Sequence, residues 1–264
     1  MNFPNRIICL TEETTEIIYE LGAENLIVGI SGYTIRPKRA RKEKPKVSAF
    51  SSAKIDKILE LKPDLVLGFS DIQSDICSTL IKKGINVLCF NQRSINEILN
   101  VIKFLGRVID KAEEADNYVK KIKNKLDKVT YLSKKLQSKP KVYFEEWDDP
   151  LITGIKWVSE LIEIAGGIDI FRSLSLESLA INRIISDPNI IVDANPDIII
   201  GSWCGKKLKK EKIISRYKWN EINAVKNDQI HEIKSPLILQ PGPAALTDGL
   251  DEILKIILEW ESNK

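Results

Sequence analysis

The stretch KPDLVLGFS, residues 62–70, has a second copy in the chain, NPDIIIGSW at residues 195–203. In each copy a Pro-Asp turn leads into a run of apolar residues, which ends in a glycine and a loop with polar or aromatic side chains. A short apolar run of this kind is typical of a strand that is buried on both faces. A helical pattern precedes each copy, so the unit helix, turn, strand, loop occurs twice. The sequence therefore predicts two similar lobes.

Other short apolar runs alternate with helical patterns along the chain. The predicted strands are RIICL from Arg6, NLIVGI from Asn25, INVLCF from Ile85, KVYFEE from Lys141 and QIHEI from Gln229. The predicted helices include residues 15–22, 75–83, 94–106, 157–165 and 248–260. Strands that alternate with helices at this density favour parallel sheets flanked by helices, the α/β class.

One long helix is predicted between the two lobes, over residues 110–137. Asp110 and Glu113 resemble a capping box, and apolar residues then recur at three- and four-residue steps. At ~1.5 Å per residue the helix would be about 40 Å long, and a flexible Gly/Ser hinge is absent from it. We therefore expect an α/β lobe over 1–93, a closing helix and the rigid connecting helix over 94–139, and a second α/β lobe over 140–264.

Composition excludes several classes of protein. The chain has 264 residues, 43% of them hydrophobic and 29% charged, with a formal net charge of +3. Disorder is excluded, and such a balance predicts no nucleic-acid partner. The one histidine, His231, lies in a predicted strand and excludes metal sites with two or three histidines within one chain. The four cysteines are far apart without a C-x-x-C pair, which predicts reduced, mostly buried thiols.

The sequence shows no export signal and no membrane span. The first residues lack a basic region followed by an apolar region and a cleavage site. No window approaches the ~18 consecutive apolar residues that a span needs. The chain therefore reads as cytoplasmic, and as extracytoplasmic if a signal has been removed.

The loops that follow the strands are the predicted ligand site, because ligands of open parallel sheets sit beyond the carboxyl ends of the strands. Aromatic side chains beside single polar groups suit an organic ligand with a broad face. The predicted apolar walls are Tyr33, Phe69, Trp147 and Trp203. The predicted polar contacts are Asp71, Arg93, Glu146 and Lys206, and Glu13, Cys204 and Gln240 complete the set. No catalytic residue and no metal ligand is predicted among them.

Two features leave alternatives open. Residues 145–149 crowd four carboxylates into five positions, which fits a solvated turn that caps the helix at Trp157, a ligand contact or a hard-cation contact. Two lysines follow Cys204 closely, so it is an ordinary loop thiol, a nucleophile with a lowered pKa or an axial metal ligand. The second hypothesis is therefore a cytosolic cofactor-handling protein or enzyme that uses Cys204 and the Glu145–Asp148 cluster. A third is a protein that binds a metal ion through carboxylates.

Four segments together carry a resemblance to a known family. They are RIICLTEETTEIIYELGAENLIVGISGY from Arg6, KPKVSAFSSAKIDKILELKPDLVLGFS from Lys44, the long helix from Asp110, and WVSELIEIAGGIDIF from Trp157. The chain resembles the helical-backbone (cluster A, class III) substrate-binding proteins of ABC importers, and within them the cobalamin-binding branch. The resemblance implies two Rossmann-like lobes, little hinge motion, and a ligand held in the cleft between the lobes. That ligand would be a corrinoid (cobalamin) or a related metal chelate such as an iron-siderophore, with no intrinsic cofactor.

The chain also departs from this family's pattern. Glu12 and Glu13 stand where the family typically has Pro-Ser after the first strand. The resemblance implies an ABC permease as partner, which family members contact through one Glu on each lobe. Here the matching helix starts offer Asp56 and Asn189, so one docking carboxylate is missing. The segments EEWDDPLITGIKWVSELIEIAGG from Glu145, GSWCGKK from Gly201 and LILQPGPAALTDGLDEI from Leu237 resemble a subgroup without an export signal.

Overall fold

The computed structural model describes residues 4–264, which form two compact units. Unit 1 comprises the residues up to Gln92 together with Asn96–Lys121, and unit 2 comprises Arg93–Ile95 and Ile122–Lys264. The boundary between them runs inside the long helix, whereas the sequence predicts that helix as a segment of its own. Each unit contains one sheet with helices around it.

Unit 1 is a five-stranded parallel sheet with strand order β3-β2-β1-β4-β5. Its strands are β1 (Ile7–Cys9), β2 (Ile27–Ser31), β3 (Lys46–Ser48), β4 (Leu65–Phe69) and β5 (Val87–Phe90). The helices of this part of the chain are α1 (Glu12–Glu20), α2 (Ala40–Glu43), α3 (Ile55–Glu60), α4 (Ser74–Lys82) and α5 (Ile95–Val108). The sheet packs through Ile8, Val66 and Leu10 against Ile58 and Leu80 of the helices.

Unit 2 has a second sheet with strand order β10-β9-β6-β7, in which β8 also pairs with β6. Only β7 runs antiparallel to its neighbour among the described strands of this sheet. The strands are β6 (Lys141–Asp148), β7 (Leu151–Thr153), β8 (Ile168–Asp169), β9 (Ile198–Gly201) and β10 (Ile230–Glu232). The helices are α7 (Lys156–Ile164), α8 (Asn189–Ala194), α9 (Lys210–Ile214), α10 (Asn223–Lys226), α11 (Ser235–Ile238) and α12 (Leu250–Ser262). The α/β class is confirmed.

The long helix is α6 (Ala112–Ser133), which has 22 residues. At ~1.5 Å per residue it is about 33 Å long, shorter than predicted. It starts two residues after Asp110, because Asp110 adopts a left-handed conformation (φ 58°) and links α5 to α6 instead of capping the helix. Within residues 4–264, none of the helices combines the length and the apolar character that crossing a bilayer requires.

The duplicated sequence pattern forms the same turn in both units. Lys62 and Asn195, which precede the two prolines, both have left-handed backbone conformations, with φ of 46° and 47°. After each turn the chain enters β4 or β9, and both strands are flanked by parallel neighbours on each side. The prediction of two buried, equivalent strands is confirmed.

The aspartate of each turn ties the entering strand to the central strand of its sheet. The Asp64 carboxylate accepts from the backbone N–H of Arg6 at 3.0 Å, and the backbone N–H of Asp64 donates to the Arg6 carbonyl at 3.0 Å. Asp197 makes the same reciprocal pair with Lys141, at 2.9 and 2.8 Å. The basic side chains of Arg6 and Lys141 donate to carbonyls at the ends of α3 and α8. The two copies of the sequence pattern therefore also form the same hydrogen bonds.

Candidate functional site

The first turn of α1, which follows β1 in unit 1, holds a buried carboxylate. Glu13 is 1% exposed, and the Thr11 hydroxyl donates to its Oε1 at 2.5 Å. Burial raises the pKa of Glu13 to about 7, although the Thr11 hydrogen bond opposes the rise. Glu13 therefore keeps a proton to a higher pH than an exposed glutamate does.

Two neighbouring carboxylates surround Glu13. Burial, and then the charges of Glu13 and Glu16, raise the pKa of Glu12 to about 8, while Arg41 opposes the rise. Glu16 forms an ion pair with Arg36, with 2.8 Å between Oε1 and Nε. The two glutamates that replace Pro-Ser thus form a proton-holding group at a predicted ligand site.

The other predicted contacts of unit 1 differ in exposure. Tyr33 is 56% exposed, and Asp71 is exposed at the start of the turn after β4. Phe69 is only 4% exposed, and its backbone N–H donates to Gln73 Oε1 at 3.0 Å. Tyr33 and Asp71 have exposed side chains, so their contact with a ligand stays a prediction, whereas the Phe69 ring lies mainly in the core.

Arg93 and Gln240 lie in unit 2 and are both partly buried. The Arg93 carbonyl accepts from the backbone N–H of Trp157 at 3.1 Å, which fixes Arg93 beside the start of α7. Gln240 follows α11, and its carbonyl accepts from the Gly242 N–H at 2.8 Å. Their contact with a ligand stays a prediction.

Glu145 lies inside β6 with 0% exposure. Both of its oxygens accept from Arg216, at 2.5 and 2.9 Å. Trp203 Nε1 donates to Oε1 at 3.0 Å, and the Tyr143 hydroxyl donates to Oε2 at 3.1 Å. The interpretation of this stretch as a solvated turn is therefore wrong for Glu145, which anchors the end of the strand.

The next two carboxylates along β6 are also ion-paired. Glu146 pairs with Arg183 at 2.6 Å, and Arg183, which is 2% exposed, also donates to the Thr153 carbonyl at 2.5 Å. Asp148 pairs with Lys206 and with Lys212. Burial acts to raise the pKa of Asp148, but the two ammonium groups outweigh it and lower that pKa. Glu145, Glu146 and Asp148 are thus each engaged in an ion pair, which is a structural role and not that of a catalytic base.

Trp147 and Lys206 form a stacked pair at the same end of the sheet. Lys206 Nζ lies 3.8 Å from the centroid of the Trp147 ring and 5.1 Å from that of Trp203. Trp147 is partly buried, and its Nε1 donates to the Asp149 carbonyl at 2.8 Å. Trp203 is 2% exposed and packs in the hydrophobic cluster of unit 2, so it presents almost no surface to a ligand. The exposed thiol of Cys204 follows it.

The protein family follows from a comparison with known sequences. The family model described as periplasmic binding protein matches residues 7–237. The chain belongs to this family. The match extends through both sheets of this periplasmic binding protein and ends at Leu237 in α11.

Relatives and solved structures support the same assignment. "Uncharacterized ABC transporter substrate-binding lipoprotein YvrC" of Bacillus subtilis (strain 168) is 28% identical and covers 96% of this chain and 80% of its own. "Vitamin B12-binding protein" of Vibrio parahaemolyticus is 24% identical over 98% of this chain and 90% of its own. A solved structure, of a possible iron-binding (periplasmic solute-binding) protein from Staphylococcus epidermidis, has a TM-score of 0.83, with 26% identity over 97% of this chain and 99% of that one.

These findings confirm the resemblance and decide the class of function. The chain is a ligand-binding protein of the ABC-importer kind, and its family and relatives are substrate-binding proteins, not enzymes. The alternative of an enzyme built on Cys204 is therefore set aside. Within residues 4–264, no three His, Cys, Asp or Glu side chains are grouped so that they would hold a metal ion.

No sequence pattern points to Arg183 and Arg216, whose side chains bind Glu146 and Glu145 in this periplasmic binding protein. Arg183 lies in the apolar stretch AINRII, where a lone charged residue is a weak sign of burial. Arg216 lies 71 residues from the glutamate that it binds, in a segment rich in lysine. Only the fold brings these partners together.

Proposed function

We propose that this protein is a receptor for a corrinoid such as cobalamin. A related metal chelate, such as an iron-siderophore, is the nearest variant of the same function. The observation that carries the proposal is the relative named for vitamin B12, which aligns with 98% of this chain. The ligand brings its own metal, so the protein needs no intrinsic cofactor.

The end of the unit 2 sheet supports a ligand of this shape and charge. The Trp147 ring offers a flat apolar face, and Lys206 places an ammonium group 3.8 Å from its centroid. Lys206 is 37% exposed at its side chain, so it can turn from Asp148 toward an anionic group of the ligand. A corrinoid joins both properties, since it has a broad ring and a phosphodiester.

Calorimetric titration with cyanocobalamin, haem and a ferric hydroxamate siderophore tests the proposal. Tryptophan fluorescence adds a local signal, because all 5 tryptophans lie in unit 2. We expect saturable binding of cyanocobalamin at about micromolar concentration or below, equivalent to about −8 kcal/mol. Saturable binding of haem or the siderophore alone would exclude the corrinoid and keep the receptor function. No saturable binding of any of the three would contradict both.

Two variants locate the site, and one serves as a control. Trp147→Ala and Lys206→Gln should each weaken binding about tenfold, or about 1.4 kcal/mol, because each removes one side of the stacked pair. Tyr131→Ala removes an aromatic side chain that is 62% exposed in the last turn of α6, and should leave the affinity unchanged. Equal weakening by all three variants would point to an indirect effect on folding.

We infer an ABC permease as the partner, on the basis of the family. Asp56 is exposed in the first turn of α3 and is the carboxylate available to permease arginines. At the start of α8, Asn189 is exposed, and the neighbouring Asp187 accepts from its backbone N–H at 2.9 Å. Affinity capture from detergent-solubilised membranes should retain a permease with the wild-type protein and lose it with Asp56→Arg. Retention with Asp56→Arg would exclude this contact.

A further inference from the structure

Two cysteines that are distant in sequence meet at the carboxyl end of the unit 1 sheet. Cys77 lies in α4 and Cys89 in β5, and their side chains come together beside β4. Both sulfurs lie over Gly68 of β4. A Cβ added there would come within 3.1 Å of Cys77 Sγ and 3.8 Å of Cys89 Sγ. The glycine of the duplicated pattern thus makes room for a pair of thiols.

The two thiols differ in access to solvent. Cys77 is 7% exposed, whereas Cys89 is exposed. Cys89 Sγ also contacts the Ser70 carbonyl at 3.6 Å, in the loop that follows β4. A reagent in solution therefore reaches Cys89 first, with Cys77 already in contact behind it.

We propose that Cys77 and Cys89 are a reversible oxidation site, which closes to an intramolecular disulfide when the protein meets a low-molecular-weight disulfide. The site is independent of the ligand and of the aromatic residues of unit 2. The sequence predicts reduced, mostly buried thiols, whereas Cys89 and Cys204 are exposed, and the structure adds that Cys77 and Cys89 lie side by side.

The chemistry consists of two exchange steps. The Cys89 thiolate attacks one sulfur of the small disulfide, which forms a mixed disulfide and releases one small thiolate. The Cys77 thiolate then attacks Cys89 Sγ, forms the Cys77–Cys89 bond and releases the second small thiolate. The two electrons lost by the cysteines reduce the small disulfide, and the two protons are taken up by the released thiolates. The product is uncharged, which suits a partly buried position.

The environment makes the exchange slow at neutral pH. Burial raises the pKa of Cys77, and burial together with the nearby Cys77 raises the pKa of Cys89 to about 12. Because the thiolate is the attacking species, the rate should rise close to tenfold for each pH unit between 7 and 9.

Oxidation would alter the loop that carries a predicted ligand contact. The Cys89 thiol would lose the hydrogen that it offers to the Ser70 carbonyl, and Ser70 has a left-handed φ of 57° between Phe69 and Asp71. A change in ligand affinity on oxidation rests on the proposed function. The formation of the bond does not.

The test uses the full chain with Cys204→Ser, which removes the other exposed thiol. The protein is incubated with oxidised glutathione at pH 8.5, then denatured, alkylated and analysed by mass spectrometry. We expect a mass loss of two hydrogens, a peptide that joins Cys77 to Cys89, alkylation of Cys9 alone, and full reversal by dithiothreitol. Ligand titration of the oxidised and reduced protein follows as a separate measurement.

Two variants in the same background make the result specific. Cys77→Ser should accumulate a stable glutathione adduct on Cys89, because no second thiol can release it. Cys89→Ser should leave Cys77 unmodified, because Cys77 is 7% exposed. The proposal is overturned if the unsubstituted pair keeps glutathione on Cys89 with Cys77 free, or if both thiols remain alkylatable after prolonged oxidation. Thermal unfolding of the reduced variants verifies that each is folded.

Discussion

Each unit buries a glutamate close to a strand of its sheet, in the first turn of α1 in unit 1 and within β6 in unit 2, and the two units neutralise it by different means. Glu13 follows β1, is 1% exposed and is held by the Thr11 hydroxyl, and burial raises its pKa to about 7. Glu145 ends the buried part of β6, is 0% exposed and is bound by Arg216. A buried carboxylate needs either a proton or a cation. In unit 1 the raised pKa of Glu13 favours its protonated form, and in unit 2 the Arg216 guanidinium pairs with Glu145.

The strand registers show how far the two units correspond. Ile7 pairs with Leu65 in unit 1 and Val142 with Ile198 in unit 2, at the same place in the duplicated pattern. Counting along the strands, Glu145 occupies the position of Leu10, which is also 0% exposed. The two units therefore share the strand register. At one equivalent position unit 1 has the apolar Leu10 and unit 2 has the charged Glu145, which Arg216 neutralises.

The largest expected effect comes from removing the cation of unit 2. Arg216→Leu leaves Glu145 buried without its partner, and breaking such a pair costs about 3–5 kcal/mol. Urea unfolding followed by tryptophan fluorescence measures this loss in unit 2, where all 5 tryptophans lie. A loss below about 1 kcal/mol would mean that Glu145 does not depend on Arg216.

A double variant separates the charge from the packing. Glu145→Gln with Arg216→Leu removes both charges and retains a carbonyl oxygen for the Trp203 N–H. It should recover about 2 kcal/mol relative to Arg216→Leu alone, because no unpaired buried charge remains. If the double variant is as unstable as the single one, lost packing of the arginine is the cause.

A smaller effect, on the order of 2 kcal/mol, is expected for pH in unit 1. The pKa of Glu13 is raised in the folded state from 4.5 to about 7, so its contribution is complete below about pH 4.5 and is lost as pH rises through 7. Unit 1 should therefore be less stable at pH 8.5 than at pH 5. Glu12, with a pKa raised to about 8, acts in the same direction. Hydrogen exchange of peptides from α1, measured by mass spectrometry, reports the change.

Glu13→Gln is the control for this pH dependence. The amide is uncharged at every pH, as the protonated acid is, so the variant should lose much of the difference between pH 5 and pH 8.5. Arg36 and Arg41, which face the same carboxylates, remain in place. An unchanged pH dependence in the variant would assign the effect to Glu12.

The smallest loss of stability is expected from removing the aspartate of the Pro-Asp turn. The loss should be equal in the two units, because both contain this turn. Asp64→Ala and Asp197→Ala each remove a carboxylate that accepts from a backbone N–H of the central strand, at 3.0 and 2.9 Å. Each should cost about 1–2 kcal/mol in urea unfolding followed by far-UV circular dichroism. Unequal losses, with one variant near zero, would show that the repeated turn is not equally important in the two units.

Much of the fold was predictable because its signals are local. The apolar runs of β1, β2, β4, β5, β6, β9 and β10 were predicted, as were α1, α4, α5, α7 and α12 within a few residues. The strands β3, β7 and β8 have two or three residues with at most two apolar ones, whereas the equally short β1 and β10 lie within longer apolar or alternating runs. Of the predicted site residues, Tyr33 is exposed and Trp203 is core, although both are aromatic residues that follow strands.

The sequence by itself determined the class of the fold, the duplicated turn and strand, and the family, because each depends on the order of neighbouring residues. Only the tertiary structure decided which charges and thiols are partners. Glu145 meets Arg216 across 71 residues, and Cys77 meets Cys89 from a different element. Such pairs form between side chains that packing brings together, and no local pattern encodes the distance between them. The same packing determines whether a buried glutamate holds a proton or binds an arginine.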